Sequence, residues 1–249
     1  MKNPDIDLSR RNLVAKAGLG AAAAVAAATL PKPAKAGATG QTVQYAMVID
    51  TRRCIGCHAC SVACKAEFDV PLGATRSWVE YIEKGEYPNV SRHFLPRLCN
   101  HCSDPACVPV CPTGATYKRK QDGIVVVDAD KCIGCGYCVL ACPYNARFIN
   151  PGTGTADKCD FCLHRVSKGI APSCVNTCQG KARIFGDMND PESEVAKLIA
   201  TEPVTVLRPE MGTEPNVYYI DADQADPRDR RYEGQYVRVE THRQAKERM

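Results

Sequence analysis

Residues 132–143 read CIGCGYCVLACP, and this stretch decides what the rest of the chain can be. Three cysteines recur at every third position, a fourth follows after three intervening residues, and Pro143 comes directly behind it. Such a loop aims three thiolates at three corners of one 4Fe-4S cube, while the fourth cysteine, at the start of a helix, points toward a second cube. Gly134 and Gly136 supply the backbone freedom that the wrap requires. The spacing therefore predicts an iron-sulfur site.

The remaining cysteines form three more groups of four, so that all sixteen cysteines of the chain are used. Group three, quoted above, matches the bacterial ferredoxin spacing residue for residue. The members of the others are Cys54, Cys57, Cys60 and Cys64 in group one, Cys99, Cys102, Cys107 and Cys111 in group two, and Cys159, Cys162, Cys174 and Cys178 in group four. Four groups predict four cubane 4Fe-4S clusters.

Three other kinds of cysteine site compete with this interpretation. Structural zinc uses two C-x2-C pairs per ion, and group four taken alone fits that pattern. Zinc does not explain three-cysteine loops followed by C-x3-C-P, and a disulfide scaffold would not need the repeated spacing. A binuclear iron cluster is excluded for group three by its spacing and is disfavoured for the other groups. Cubane clusters remain the prediction.

The order of the groups predicts an α+β fold of two nested bacterial-ferredoxin-like modules, each binding two clusters. Groups two and three are joined by residues 116–120, a turn at 121–123 and a strand over Ile124–Val127, which is the compact layout of one module. This inner module covers residues 99–145. The outer module then consists of residues 45–98 and 146–220, with an insertion at 67–98, and a charged tail follows at 221–249.

Because the fourth cysteine of a run ligates the other cluster of its pair, the nesting predicts four ligand sets. The outer sets are Cys54, Cys57 and Cys60 with Cys178, and Cys159, Cys162 and Cys174 with Cys64. The inner sets are Cys99, Cys102 and Cys107 with Cys142, and Cys132, Cys135 and Cys138 with Cys111.

Further elements are predicted around the modules. We expect strands at Tyr45–Asp50 and Ala182–Asp187, a helix at Pro191–Thr201 capped by Asp190, and a closing strand pair at Val204–Leu207 and Val217–Ile220. The tail carries charges of both signs, which is typical of solvated coil; a partner-wrapping arm is the alternative.

The N-terminus has the layout of a twin-arginine signal peptide over residues 1–36. Ser9-Arg10-Arg11-Asn12-Leu13 precedes a stretch rich in Ala and Gly, and Ala34-Lys35-Ala36 is a small-x-small cleavage site. The alternative is an uncleaved anchor. Export of an already folded protein suits cofactors inserted in the cytoplasm, so a periplasmic location is predicted, peripheral to the membrane.

Charge and composition exclude other classes of function. Residues 1–36 carry six basic and two acidic residues, and the remainder is balanced, so the net charge gives no footprint for nucleic acid. No set of residues has a claim to catalysis. Side chains beside the cysteines could tune a cluster or simply be solvated; they are His58, His101, His164, Arg52, Arg53, Arg97, Lys131 and Lys158.

Four stretches carry a family resemblance: YAMVIDTRRCIGCHAC (45–60), LPRLCNHCSDPACVPVCPTGAT (95–116), DGIVVVDADKCIGCGYCVLACPYNARFIN (122–150) and ADKCDFCLHR (156–165). They resemble the four-cluster iron-sulfur subunits of the dimethyl sulfoxide reductase (molybdopterin oxidoreductase) family. Within it, ARIFGD (182–187) and VLRPEMGTEPNVYYI (206–220) are most similar to the iron-sulfur subunits of the tetrathionate reductase type.

The resemblance implies an electron-transfer subunit without catalytic activity of its own. It would relay electrons between an integral-membrane quinol-oxidising subunit and a molybdopterin catalytic subunit of the tetrathionate, thiosulfate or polysulfide reductase type. Related exported subunits serve nitrite- or sulfite-type respiratory complexes without a molybdenum partner. A free periplasmic polyferredoxin is a further alternative, although the insertion and the long C-terminal region favour a subunit of a complex.

Overall fold

The computed structural model describes residues 43–222 and, for the backbone alone, Tyr236–Val237. The predicted signal peptide and most of the predicted tail lie outside the described residues. The strands are β1 Tyr45–Asp50, β2 Ser77–Lys84, β3 Ser91–Leu98, β4 Thr116–Lys118, β5 Val125–Val127, β6 Phe148–Ile149, β7 Ala156–Asp157, β8 Arg183–Asp187, β9 Val204–Thr205, β10 Val217–Ile220 and β11 Tyr236–Val237. The helices are α1 Ala59–Phe68, α2 Tyr137–Leu140, α3 Leu163–Val166, α4 Ser173–Asn176 and α5 Glu194–Thr201.

A four-stranded sheet of order β8-β1-β10-β9 ties the two ends of the cysteine-rich region together. β1 pairs antiparallel with β8, so that Val48 faces Ile184, and parallel with β10, so that Met47 faces Val217. An inner strand with a parallel partner is commonly covered on both faces and therefore reads as a continuous apolar run. Residues 46–49 are such a run, and each is fully buried.

The two faces of β1 pack against different parts of the chain. Met47 and Ile49 belong to the larger apolar core, which also contains cysteines of groups one, two and four. Ala46 and Val48 belong to a smaller core that includes Val195 of α5. The cysteine loops therefore lie on one face of this sheet, and α5 covers the other.

Smaller β-sheets connect the cysteine groups and form the insertion. β4 and β5 form the hairpin predicted between groups two and three, and β6 pairs with β7 between groups three and four. The predicted insertion contains a hairpin of β2 and β3, in which Ser77 pairs with Leu98 at one end and Lys84 pairs with Ser91 at the other. The backbone of β11 adds to the free edge of β2. At that point the tail is docked, and solvated coil, the favoured prediction, does not describe it.

The helix predicted over Pro191–Thr201 begins later than expected. Its N-cap is Ser193, whose Oγ accepts from the backbone N–H of Ala196 at 3.1 Å, and α5 starts at Glu194. Asp190 instead accepts from the N–H of Glu192 in a preceding turn. The prediction of Asp190 as the cap was therefore wrong, because a second capping side chain three residues on competes with it.

Other boundaries moved by one or two residues. The strand predicted from Ala182 begins at Arg183, and the one predicted to reach Leu207 ends at Thr205. β1 and β10 have their predicted bounds. None of the helices within residues 43–222 has the length and apolar composition of a bilayer-spanning segment.

Candidate iron-sulfur centres

The four C-x2-C pairs share one backbone feature. The residue just before the second cysteine has a positive φ in every group: 68° at Gly56, 43° at His101, 70° at Gly134 and 55° at Phe161. A left-handed residue at this point turns the chain so that both cysteines face the same side. Glycine adopts this conformation without strain, whereas His101 and Phe161 do so at a cost.

His101 and Phe161 compensate for that cost by packing on each other. Their rings are stacked with centroids 3.8 Å apart, and both side chains are almost fully buried. The Nδ1 atom of His101 accepts from the backbone N–H of Val125 at 3.1 Å. Loops of groups two and four are thus joined through their left-handed residues and anchored to β5.

Group two is also held by the segment that leads into β10. The side-chain amide of Asn216 donates to the carbonyl of His101 at 2.7 Å, and its backbone N–H donates to the carbonyl of Asn100 at 2.9 Å. The backbone N–H of Ser103 donates to the carbonyl of Glu214 at 2.7 Å. The C-terminal region therefore forms one wall of this loop.

The fold brings cysteines from distant groups together. Burial raises the pKa of the Cys64 thiol to about 12. The nearby thiols of Cys174 and Cys162, both of group four, contribute to this rise. Burial also raises the pKa of Cys54, with Cys60 and Cys178 among the contributing neighbours. The last cysteine of group one thus lies beside group four, and the last cysteine of group four lies beside group one.

Half of the same crossing occurs between groups two and three, where the last cysteine of group three, Cys142, lies beside group two. Burial raises the pKa of Cys102 to about 12, and the neighbouring thiols that add to the shift are Cys99, Cys107 and Cys142. Crowded, buried thiols resist ionisation when they stand alone, and an iron core is the kind of positive partner that makes thiolates stable in such a place. The donor set therefore fits a cluster that is both thiolate-bound and buried.

The remaining cysteines of groups two and three differ in exposure. Cys135 is exposed, Cys111 and Cys132 are half-buried, and Cys138 is buried. Although burial acts to raise the pKa of Cys111, the backbone N–H groups of Thr116 and Thr113 and the Thr113 hydroxyl outweigh it and lower the pKa to about 7. Cys111 is thus prepared to be a thiolate by its own loop.

Backbone N–H groups point at several sulfur atoms. Donor-to-sulfur distances of 3.3 to 3.5 Å join Thr116 to Cys111, Ala156 to Cys132, Phe161 to Cys159, Ser173 to Cys162 and Ala182 to Cys178. Hydrogen bonds to sulfur stabilise negative charge there and are one of the means by which a protein sets the potential of an iron-sulfur cluster. The arrangement suits anionic clusters.

All sixteen cysteines lie within the described residues, and in them none is joined to another by a disulfide. In the same residues, no three His, Cys, Asp or Glu side chains converge as ligands of one ion. A cubane requires no such convergence, because each thiolate binds a different iron at its own corner.

Comparison with known proteins agrees with these sites. Residues 90–188 match the profile of a 4Fe-4S dicluster domain, and residues 45–66 match that of a 4Fe-4S binding domain. The B component of tetrathionate reductase from Salmonella typhimurium is 52% identical over 186 residues, which cover 73% of this chain and 74% of the relative. The chain belongs to the iron-sulfur subunits of the dimethyl sulfoxide reductase family. It is an electron-transfer subunit that binds 4Fe-4S clusters, and it is not a catalytic subunit.

Two further relatives show the breadth of this family. The Protein NrfC homolog of Haemophilus influenzae is 44% identical over 222 residues, covering 88% of this chain and 98% of the relative. The B component of selenate reductase from Mesobacillus selenatarsenatis is 45% identical over 211 residues, covering 72% of each chain. The predicted resemblance is therefore confirmed, and the relatives at 44% to 52% identity include components of tetrathionate and selenate reductases and a Protein NrfC homolog.

The histidines singled out in this iron-sulfur subunit have different surroundings. His101 is in the core, as described. His58 is half-buried, and its Nε2 lies 2.7 Å from the Tyr81 hydroxyl of the β2–β3 hairpin. His164 is partly exposed, with its Nε2 2.7 Å from Glu67. His101 and His58 therefore contact neighbouring loops, whereas His164 pairs with a carboxylate near the surface.

Among the basic side chains singled out, only Lys158 is buried, at 3% exposure. Its Nζ donates to the carbonyl of Val125, and to that of Cys159 at 2.7 Å. Arg52 and Lys131 pair with nearby carboxylates at the surface, Arg53 is exposed, and Arg97 pairs with Glu80. Lys158 is thus the member of this set placed to act on a cluster.

Sequence reasoning missed two features of the iron-sulfur subunit's sites. The insertion forms a cover for group one: the Tyr81 hydroxyl donates to the carbonyl of Gly56 at 2.8 Å, and the ring of Phe94 lies where a side chain at position 56 would be. The second missed feature is a pair of buried arginines, Arg147 and Arg183, at 5% and 3% exposure. A repeated Cys-x3-Ala-Arg pattern at 142–147 and 178–183 was the available signal for them.

Proposed function

We propose that this subunit holds four 4Fe-4S clusters and relays electrons between an integral-membrane quinol-oxidising subunit and a molybdopterin catalytic subunit. The proposed reductase is of the tetrathionate, thiosulfate or polysulfide type. The observation that carries the proposal is the crossing of the cysteine groups: Cys64 lies with Cys162 and Cys174, and Cys142 lies with Cys99 and Cys102. Groups that exchange their last cysteine hold their clusters as neighbours, which a relay requires.

The proposed ligand sets are those predicted from the spacing. The proximity of thiols supports three of them: Cys54 and Cys60 with Cys178, to which spacing adds Cys57; Cys159, Cys162 and Cys174 with Cys64; and Cys99, Cys102 and Cys107 with Cys142. The set of Cys132, Cys135 and Cys138 with Cys111 rests on the spacing of the group. Two nested modules, 99–145 within 45–98 and 146–220, follow from these sets, and the pairing of β1 with β8 supports the outer one.

When bound, a 4Fe-4S cluster accepts and returns one electron at a time. The chain's own residues fix where this happens. The left-handed loops orient the thiolates, backbone N–H groups donate to sulfur, and the β2–β3 hairpin covers the loop of group one. Exposed Cys57 and Cys135 mark places where the sites reach the surface and where a partner could approach.

We further propose export by the twin-arginine pathway, with the signal over residues 1–36 and a periplasmic location next to the membrane. The order Ser9-Arg10-Arg11, a mildly apolar stretch and Ala34-Lys35-Ala36 supports it. Replacing Arg10 and Arg11 together with lysine should leave the protein in the cytoplasm. Fractionation that still finds the variant in the periplasm would exclude this route.

A second candidate function is that of an exported subunit in a nitrite- or sulfite-type respiratory complex without a molybdenum partner. The observation that favours it is the coverage of the Protein NrfC homolog, which is nearly complete for that relative. Gentle solubilisation followed by identification of the co-purifying large subunit separates the candidates. A large subunit with molybdopterin supports the first and a large subunit without it supports the second, whereas a monomer in the soluble fraction would contradict both.

Two experiments test the cluster assignment. Iron and sulfide analysis of protein handled without oxygen should give about sixteen of each per chain, as four cubanes demand. In electron paramagnetic resonance, Cys64→Ser should alter the same signal as Cys159→Ser and leave the one altered by Cys57→Ser. If Cys64→Ser instead reproduces the effect of Cys57→Ser, the crossed assignment is wrong.

A further inference from the structure

Two arginines occupy equivalent places behind the last cysteines of groups three and four. The sequences CPYNAR (142–147) and CQGKAR (178–183) both put an arginine five residues after the cysteine, with a buried alanine before it. Groups one and two have Asp69 and Thr116 at the corresponding place. Each proposed two-cluster module therefore contains one such arginine.

Arg147 lies between cysteines of the two inner groups. Its Nη2 is 3.0 Å from Sγ of Cys107, and its Nη1 donates to Oγ1 of Thr116 at 3.2 Å. Burial opposes its charge, but the neighbouring Cys107, Cys99 and Cys138 outweigh this and raise the pKa of Arg147. Its fixed positive charge thus faces sulfur from group two and from group three.

Arg183 has the same position in the outer pair. It is 3% exposed, its Nη1 lies 4.0 Å from the thioether of Met47, and its Nη2 is buried without a hydrogen-bond partner. Met47, Cys60 of group one and Cys174 of group four belong to one buried core cluster, and the two cysteines are the leading electrostatic neighbours of the guanidinium. Group four and group one therefore meet at Arg183.

Other arginines of the described region behave differently. Arg52, Arg76, Arg92, Arg97, Arg119 and Arg165 each form an ion pair with a carboxylate. A buried guanidinium is costly unless anions face it. Arg147 and Arg183 face cysteine side chains, which are anionic when they bind iron. Their charge is therefore directed at the sites where clusters would bind.

We propose that Arg147 and Arg183 are positioning residues, each placing one permanent positive charge between the two clusters of a module and raising the reduction potentials of both. This rests on the ligand sets proposed above. Reduction adds one electron, supplied by the donor subunit, to an already anionic cluster; no bond forms or breaks, and the guanidinium keeps its proton. A fixed charge beside two clusters stabilises the reduced state of each, so that their potentials rise together.

Redox titration followed by electron paramagnetic resonance tests the proposal on the full chain without oxygen. Arg183→Gln should lower the potentials of the outer pair, identified by the signals that Cys57→Ser and Cys159→Ser alter, so that reduction becomes about tenfold less favourable, or ~59 mV per one-electron couple. Arg147→Gln should do the same to the inner pair. Arg183→Lys and Arg147→Lys should retain most of the potential, because they retain the charge.

The matched control is Arg92→Gln, which removes an arginine that is 60% exposed and paired with Glu83. This variant should shift none of the four cluster potentials. Full iron content with unchanged potentials in both glutamine variants would overturn the proposal, as would equal shifts in lysine and glutamine variants. If a glutamine variant loses iron, the lysine variant at the same position decides. Wild-type iron content and potential in the lysine variant support the role of the positive charge, and loss of iron in it shows that the arginine has a packing role instead. Wild-type iron content tests the four-cluster function separately.

Discussion

The tetrapeptide CIGC occurs twice, at residues 54–57 and 132–135, and the two copies are covered in different ways. Both have a left-handed glycine, an exposed isoleucine and an exposed second cysteine. A Cβ at Gly56 would meet the ring of Phe94 from the β2–β3 hairpin, whereas a Cβ at Gly134 would meet the backbone carbonyl of Gly154. The same local loop thus rests against a side chain in one case and against main chain in the other.

This difference shows which part of a cysteine loop is local and which is supplied by the fold. The turn itself follows from the sequence of four residues. The surface it packs against comes from a hairpin for group one and from the β6–β7 turn for group three, where Ala156 also donates its N–H to Cys132 at 3.3 Å. Equivalent substitutions should therefore have unequal effects, in a predictable order.

Gly134→Ala should have the largest effect. It adds the cost of a left-handed alanine and a collision with main chain that no rotamer change relieves, together about 3 kcal/mol. The measurement is the denaturant midpoint for loss of the visible cluster absorbance, taken without oxygen. A midpoint equal to that of the wild type would show that the Gly154 segment yields, and the contrast between the loops would disappear.

Gly56→Ala should cost less, about 2 kcal/mol, because the ring of Phe94 can move. Gly56→Ala should cost less stability in a Phe94→Leu background than in the wild type, since the smaller side chain at position 94 leaves room for the new methyl group. A double-mutant cycle on the same midpoint gives the coupling. Strict additivity would mean that Phe94 is not what opposes a side chain at position 56.

Tyr81→Phe should lower stability by about 1 kcal/mol, because the carbonyl of Gly56 and the His58 ring lose their hydroxyl partner. Tyr87→Phe is the control, since that side chain is 93% exposed on the same hairpin and should have little effect. Equal midpoints for the two variants would show that the hydroxyl does not secure the cover of group one.

Ile55→Ser and Ile133→Ser should have the smallest effects, within about 0.5 kcal/mol of the wild type, because both side chains are more than half exposed. These two variants test the exposed isoleucine, a feature that both CIGC loops share. A clear loss in only one of them would mean that the exposed isoleucine is also supported differently in the two copies.

Much of the site follows from the sequence because its determinants are local. Cysteine spacing, the glycines at 56, 134 and 136, and the apolar run of β1 each specify a conformation within a few residues. The left-handed positions at His101 and Phe161 were not predictable, since the contacts that stabilise them, their mutual stacking and the hydrogen bonds of His101 to Val125 and Asn216, come from distant segments. The helix start moved from Pro191 to Glu194 because two capping side chains compete in one turn.

The other misses depend on contacts between distant segments. The hairpin of β2 and β3 could be placed only as an insertion, since its role requires knowing that Phe94 and Tyr81 reach group one. Arg147 and Arg183 were passed over in favour of basic residues adjacent to cysteines in sequence. Most of the basic residues that are adjacent to cysteines lie at the surface. Adjacency in the sequence does not determine which way a side chain points.

The parallel pairing of β1 with β10 has a consequence for biosynthesis. On the ribosome, β1 emerges early and must wait for its central neighbour until nearly all of the described region has been translated, since Met47 pairs with Val217. Contacts between such distant segments form late in folding. A nascent chain truncated before Asn216 would lack both this strand and the amide that fastens the group two loop, so insertion of metal should be a post-translational event in this protein.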